Sequence, residues 1–113
     1  MTALVKSSRD VILRTGNWHE AVRFYETTLG FAVIHRSEGL VGFDTGAFVL
    51  YVEKGTDHGA VFDFLTADIA ATKRRLTAAG CTIIEEDSGV PRCYLQDPFG
   101  LVFNLGTRDS GTS

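Results

Sequence analysis

The sequence predicts an α+β fold in which two βαβββ modules form a cupped mixed sheet with helices on the convex face. Three observations carry this expectation. Gly30 and Gly80 each end a helical pattern and open an apolar strand, "FAVI" after the first and "CTII" after the second. Each helical pattern has one strand-like run before it and three after it. Neither half is long enough to bury a core of its own, so the two read as one domain with an internal repeat. That domain is expected over residues 1–107, with module one about 10–55, module two about 60–106, and a tail at 108–113.

The first module opens with Val11 to Thr15 (VILRT), a short strand. In GNWHEAVRFYETTLGF, Asn17 is placed to cap a helix, Glu20 follows three residues later as in a capping box, and Gly30 suits the left-handed position after the last turn. Trp18, Ala21, Val22, Tyr25 and Leu29 recur on one helical face, which makes Trp18 and Tyr25 core anchors. Strands are then predicted at Phe31 to Ser37, Leu40 to Asp44 and Phe48 to Glu53, with Gly39 and Gly46 in the turns.

The second module repeats the order. Val61 to Thr66 reads as a strand, and Asp68 to Ala79 as a helix with Ile69, Thr72, Leu76 and Ala79 on one face. Strands Thr82 to Glu86, Val90 to Gln96 and Val102 to Gly106 complete it. An Asp97-Pro98-Phe99-Gly100 turn joins the last two, and the final strand sets Asn104 between Phe103 and Leu105.

Composition bounds the function. At 44% hydrophobic and 22% charged the chain reads as an ordinary soluble domain. A formal charge of −3 without a Lys/Arg block speaks against nucleic acid as a partner. No apolar run reaches the length that spans a bilayer, and Met1 to Arg9, polar from Lys6 onward, is not read as a signal peptide. Cys81 and Cys93 lack CxxC spacing and nearby histidines, so they read as reduced, packed thiols of a cytoplasmic protein.

Over Asp10 to Gly106, and most of all at DVILRTGNWHEAVRFYETTLGF and DPFGLVFNL, the sequence resembles the vicinal oxygen chelate superfamily, the glyoxalase, bleomycin-resistance and extradiol dioxygenase group. The resemblance implies the glyoxalase/bleomycin-resistance fold and a homodimer. It also implies a divalent-metal site made by His, Gln and Glu from the first and fourth strands of each module. The matching positions here are Asp10, Leu50, Val61 and Asn104. Leu50 and Val61 cannot coordinate a cation, and Asn104 is a weak ligand, so no metal and no cofactor are expected. A one-residue slip in the fourth strand would put Val49 or Tyr51 at that position instead, and neither restores a metal site. His19, His35 and His58 fall outside the matched positions.

Strand alternation assigns the rest of the lining. Asp10, Ile12 and Arg14 are expected to face the cup, with Phe48, Leu50 and Val52 from the fourth strand. Val61, Asp63 and Leu65 join them from the fifth, then Arg92 and Tyr94, then Val102 and Asn104. Phe62, Phe64 and Cys93 go to the core. Apolar walls with a few converging polar groups describe a small-molecule site. The resemblance further implies that Arg14 meets an anionic group. Asp10 and Asp63 are general-base candidates, and Tyr94 a donor to a developing oxyanion. Equally, Asp10 with Arg14 and Asp63 with Arg92 could be mutual ion pairs.

Two functional classes follow, with a filled structural dimer as a third. One is a metal-independent binding protein of the bleomycin-resistance kind, sequestering an amphipathic or anionic ligand. The other is a metal-free isomerase or lyase that uses Asp10 or Asp63 as its base.

Overall fold

A computed structural model describes residues 4–87, 89 and 92–107. Among them are eight strands and two helices, with parallel and antiparallel pairings, so the α+β expectation holds. The chain divides into two compact units, Arg9–Val61 and Met1–Ser8 with Phe62–Ser113.

The Arg9–Val61 unit is built on β1 (Lys6–Thr15), α1 (Trp18–Arg23), β2 (Ala32–Ser37), β3 (Leu40–Asp44) and β4 (Val49–Lys54). Its strands lie in the order β2-β3-β4-β1, with β1 and β4 parallel. Val22 of α1 packs on Val41, Phe43, Leu50 and Val52, with Val11, Leu13, Trp18 and Tyr25 around them. The indole N–H of Trp18 donates to the Val52 carbonyl at 2.8 Å, which ties the helix to β4 as well as burying its apolar face.

Two details of the first helix differ from the sequence expectation. Asn17 makes no side-chain cap, because its φ/ψ of −92°/46° lies outside the extended region from which a capping side chain reaches back over the turn. Its own N–H donates instead to Thr15 Oγ1 at 3.1 Å. After Arg23 the helix widens into a π-turn over Phe24–Thr28, where Leu29 N–H reaches the Phe24 carbonyl at 3.0 Å. Leu29 ends this turn 49% exposed rather than on the buried stripe.

The second unit contains β5 (Gly59–Thr66) from Phe62 onward, α2 (Ile69–Ala78), β6 (Thr82–Asp87), β7 (Arg92–Gln96) and β8 (Val102–Thr107), in the order β5-β8-β7-β6. Val90, predicted to begin β7, lies outside the described residues. Asp68 caps α2, accepting the Ala71 N–H at 3.0 Å. Gly80, at φ +110°, ends it, with Cys81 N–H on the Leu76 carbonyl and Gly80 N–H on that of Thr77. Of the predicted face, Thr72 is buried and bonds Thr66 through their hydroxyls at 2.7 Å, while Ala79 is exposed. The core joins Cys93, Leu95, Phe103 and Leu105 to Val5, Phe64 and Leu76. Both cysteines are free thiols. No helix among the described residues is long and apolar enough to cross a membrane.

Candidate functional site

Register decides which side chains share a face, because paired residues on neighbouring strands point the same way. In the second unit Phe64, Phe103 and Leu105 lie on the helix side, while Phe62, expected in the core, pairs with Phe103 but is 39% exposed, outside the cluster that α2 covers. The opposite face therefore takes Asp63 with Asn104, Leu65 with Gly106, and Tyr94 opposite Asn104. Glu85 pairs with Tyr94 and continues the row.

Asn104 bridges two groups on that face. Its Oδ1 accepts the backbone N–H of Cys93 at 2.9 Å, and its Nδ2 donates to Asp63 Oδ1 at 3.0 Å. Only a side chain that both accepts and donates can do this, which is the physical reason for an amide at this position. Arg92 pairs with Glu85 at 3.1 Å, not with Asp63. Its guanidinium carbon lies 5.5 Å from the centre of the Tyr94 ring, within cation–π range. Tyr94 is 2% exposed beneath it.

Gly106 lets Leu65 close in beside this group. A β-carbon there would stand 3.2 Å from Leu65 Cδ2, 3.7 Å from Asp63 Oδ1 and 3.9 Å from Asn104 Nδ2. The result is an apolar Leu65 side chain packed next to the Asp63 carboxylate.

In the Arg9–Val61 unit the face away from the helix carries Asp10, Ile12 and Arg14, as alternation predicts, since Val11 and Leu13 pack in the core. The β4 expectation is corrected. Leu50 pairs with Val11 and Val52 with Leu13, and both lie in the core. Val49, Tyr51 and Glu53 take the other face, opposite Asp10, Ile12 and Arg14. Phe48 is not in β4; it stands in the preceding turn, its carbonyl accepting from Thr45. Val61 is buried on the Asp63 side of β5.

The sequence put Tyr51 at the matched position only under a one-residue slip of β4, and that slip is the register found. The Tyr51 ring covers Gly42 and meets His35 edge-on, with centroids 6.5 Å apart and planes at 62°. His35 in turn shares a 3.1 Å hydrogen bond with Ser37 Oγ. Burial, and then the charge of Asp10, raise the Tyr51 phenol above its ordinary pKa, so it remains a proton donor at neutral pH. The internal repeat gives the clue: Tyr51 pairs with Phe43's neighbour Gly42 and with Ile12, as Asn104 pairs with Tyr94 and Asp63.

Arg14 is 8% exposed and tied to the β4–β5 connection. Its Nε donates to the Thr56 carbonyl at 2.9 Å, and its stem passes so close to Gly55 that a β-carbon there would lie 3.0 Å away.

A glyoxalase-like domain model matches residues 10–106, nearly the whole chain. The chain belongs to the glyoxalase-like family. This glyoxalase-like chain is 34% identical over 103 residues to an uncharacterized protein of Mycolicibacterium smegmatis, covering 82% of the chain and 88% of that protein. Its fold is similar to that of a glyoxalase/bleomycin resistance protein/dioxygenase superfamily member from Vibrio splendidus, with TM-score 0.62, 18% identity, and coverage of 87% and 96% of the two chains. It is also similar to methylmalonyl-CoA epimerase from Mycobacterium tuberculosis, with TM-score 0.61, 17% identity, and coverage of 98% and 93%. Identities this low show the fold alone.

The donors of this glyoxalase-like chain do not fit a divalent cation. Both ends of the Asn104 amide are engaged, Tyr51 stays a phenol, and Leu50 lies in the core. Among the described residues no three His, Cys, Asp or Glu side chains gather to hold a metal ion.

A cavity of about 470 Å³ in the second unit is lined by Ile69, Glu86, Arg92, Cys93, Leu105 and Gly106, and it meets the backbone of Gly106 without including Asp63 or Asn104. Burial, and then Glu86, raise the Cys93 thiol above its ordinary pKa, which makes it a poor nucleophile there.

Proposed function

We propose that the protein binds a small organic molecule without a metal, in the manner of a bleomycin-resistance-type member of its superfamily, and that it does so as a homodimer. The observation that carries this reading is the Cys93–Asn104–Asp63 chain of hydrogen bonds, which fixes a carboxylate on the sheet face away from the core, beside Leu65 and Gly106. Holding a side chain in one geometry before the ligand arrives lowers the ordering cost of binding. Leu65 beside it supplies the apolar contact that a small-molecule site needs.

A thermal-shift screen of antibiotics and small metabolites tests it. A true ligand at a hundredfold excess over its Kd stabilises the fold by about 2.7 kcal/mol, and Asp63→Ala should remove most of that rise. A screen in which no compound moves the melting transition sinks the reading. Sedimentation equilibrium checks the dimer, and a monomer at all concentrations removes that part.

The same geometry favours a second reading, a metal-free isomerase or lyase with Asp63, and Asp10 in the other unit, as candidate bases. Incubating each hit in D₂O separates the two. Deuterium entering the compound at carbon, and failing to enter with Asp63→Asn, marks catalysis; unlabelled compound marks binding alone.

A further inference from the structure

We infer that the Asp63 face selects a ligand bearing an N–H donor or a cationic nitrogen on a small apolar body, not the anion that Arg14 led the sequence to expect. This rests on the reading that the face takes a small molecule. A backbone N–H can only donate, so the atom of Asn104 facing Cys93 at 2.9 Å is its carbonyl oxygen. The amino end of the same amide must then face Asp63, and at 3.0 Å it donates to Oδ1. In this pair Asp63 is the acceptor. The amide therefore orients the carboxylate without neutralising it, and the second carboxylate oxygen offers lone pairs to an incoming group.

The cations that could have cancelled this preference are engaged elsewhere. Arg92 bonds Glu85 at 3.1 Å and lies against the Tyr94 ring. Glu85 stands in the same row of the face as Tyr94 and Asn104, so among the described residues the row carries two carboxylates, Asp63 and Glu85, beside the Arg92 guanidinium. Arg14, in the other unit, is buried with its Nε on the Thr56 carbonyl.

Leu65 supplies the apolar neighbour. A glycine inside a strand weakens it and marks a place where something approaches closely. Here that something is Leu65: a β-carbon on Gly106 would stand 3.2 Å from Leu65 Cδ2, and within 4 Å of Asp63 Oδ1 and Asn104 Nδ2. An apolar side chain and a charged acceptor thus lie side by side. A flat amidinium or amide suits such a pair, because its N–H edge meets the carboxylate in the plane of both groups while its apolar body lies against Leu65. A carboxylate in the same place faces like charge.

Benzamidine, benzamide and benzoate differ little in shape and carry positive, zero and negative charge, so they read the polarity directly. Binding to the wild-type protein, followed by NMR shifts of the Asn104 side-chain amide, is expected in the order benzamidine, benzamide, benzoate. Asp63→Asn should weaken benzamidine about tenfold or more, the scale of a lost charge-assisted hydrogen bond. Glu86→Gln removes one carboxylate from the helix side of β6 and should leave its affinity unchanged. Gly106→Ala, whose added methyl displaces Leu65 from beside Asp63 and alters no charge, should weaken benzamidine too, and it carries the test if Asp63→Asn does not fold.

Benzoate binding as tightly as benzamidine overturns the inference and leaves the small-molecule reading standing. So does benzamidine binding equally to wild type and Asp63→Asn, or none of the three binding while other compounds in the screen do. Silence across the whole screen removes both.

Discussion

Tyr51 covers Gly42 so closely that a β-carbon on residue 42 would stand 2.9 Å from its Cε1 and 3.2 Å from its Cδ1. Glycine in a strand interior costs about 0.5–1 kcal/mol relative to alanine. Gly42 is buried within β3 and pairs directly with Tyr51, so its missing side chain is the space the ring occupies. The same contact sets the ring edge-on to His35.

Gly42→Ala should therefore destabilise the protein by about 1–3 kcal/mol, the usual cost of overpacking. Adding Tyr51→Leu should recover much of that loss, since the ring atoms that clash are gone. Urea denaturation of the four members of the cycle measures the coupling. Strict additivity would show that Gly42 is not there for Tyr51.

At position 104, Asn104→Leu removes a partner from the Cys93 N–H and from Asp63, and should cost about 1–3 kcal/mol. Asn104→Asp is more informative. It sets a second carboxylate against Asp63, and like charges raise the pKa of such a pair in the folded state above the unfolded value. A raised folded pKa gives stability that is present in acid and lost as pH rises through it. The variant should thus approach wild-type stability near pH 4 and fall behind it by pH 7, as read by melting temperature across that range. A deficit independent of pH would show that residue 104 does not face Asp63.

The two helix starts make a matched pair. Asp68 Oδ1 accepts the Ala71 N–H, so Asp68→Ala should cost about 1 kcal/mol. Asn17 makes no side-chain cap, and Asn17→Ala should stay within about 0.5 kcal/mol of wild type. Equal losses would mean that both side chains cap in solution.

Burial, and then Glu86, raise the Cys93 thiol in the folded state above its ordinary pKa. Its contribution to stability is complete below the unfolded thiol value, about 8.5, and declines as pH rises above that. Cys93→Ala should flatten this alkaline decline, whatever it does to stability at pH 7. Iodoacetamide at pH 8 should label Cys93 slowly in the folded protein and quickly in urea. Fast labelling without denaturant would mean an accessible thiolate.

How much the sequence could say differed from strand to strand. In β5 the run Phe62, Asp63, Phe64 contrasts an acid with two aromatics, and that contrast alone put Asp63 on the face away from the core, where the pairing with Asn104 places it. Phe103, Asn104 and Leu105 were legible for the same reason. The repeat of helix, glycine and strand gave the architecture, because caps and periodicity are local properties of the chain.

Beta-strand β4 had no such contrast. Phe48 through Val52 are apolar without a break, so a period-two pattern fits either phase, and the sequence placed Leu50 where Tyr51 stands. Nor did it show that Arg14 is bound to the Thr56 carbonyl or that Arg92 pairs with Glu85. The sequence by itself determined the order of elements, the family, and the side of the sheet that Asp63 and Asn104 take in β5 and β8. Only the tertiary structure decided the phase of β4 and the partners of the charges. Both depend on which strand lies alongside, as Val11 does beside Leu50, and that neighbour comes from a distant part of the chain.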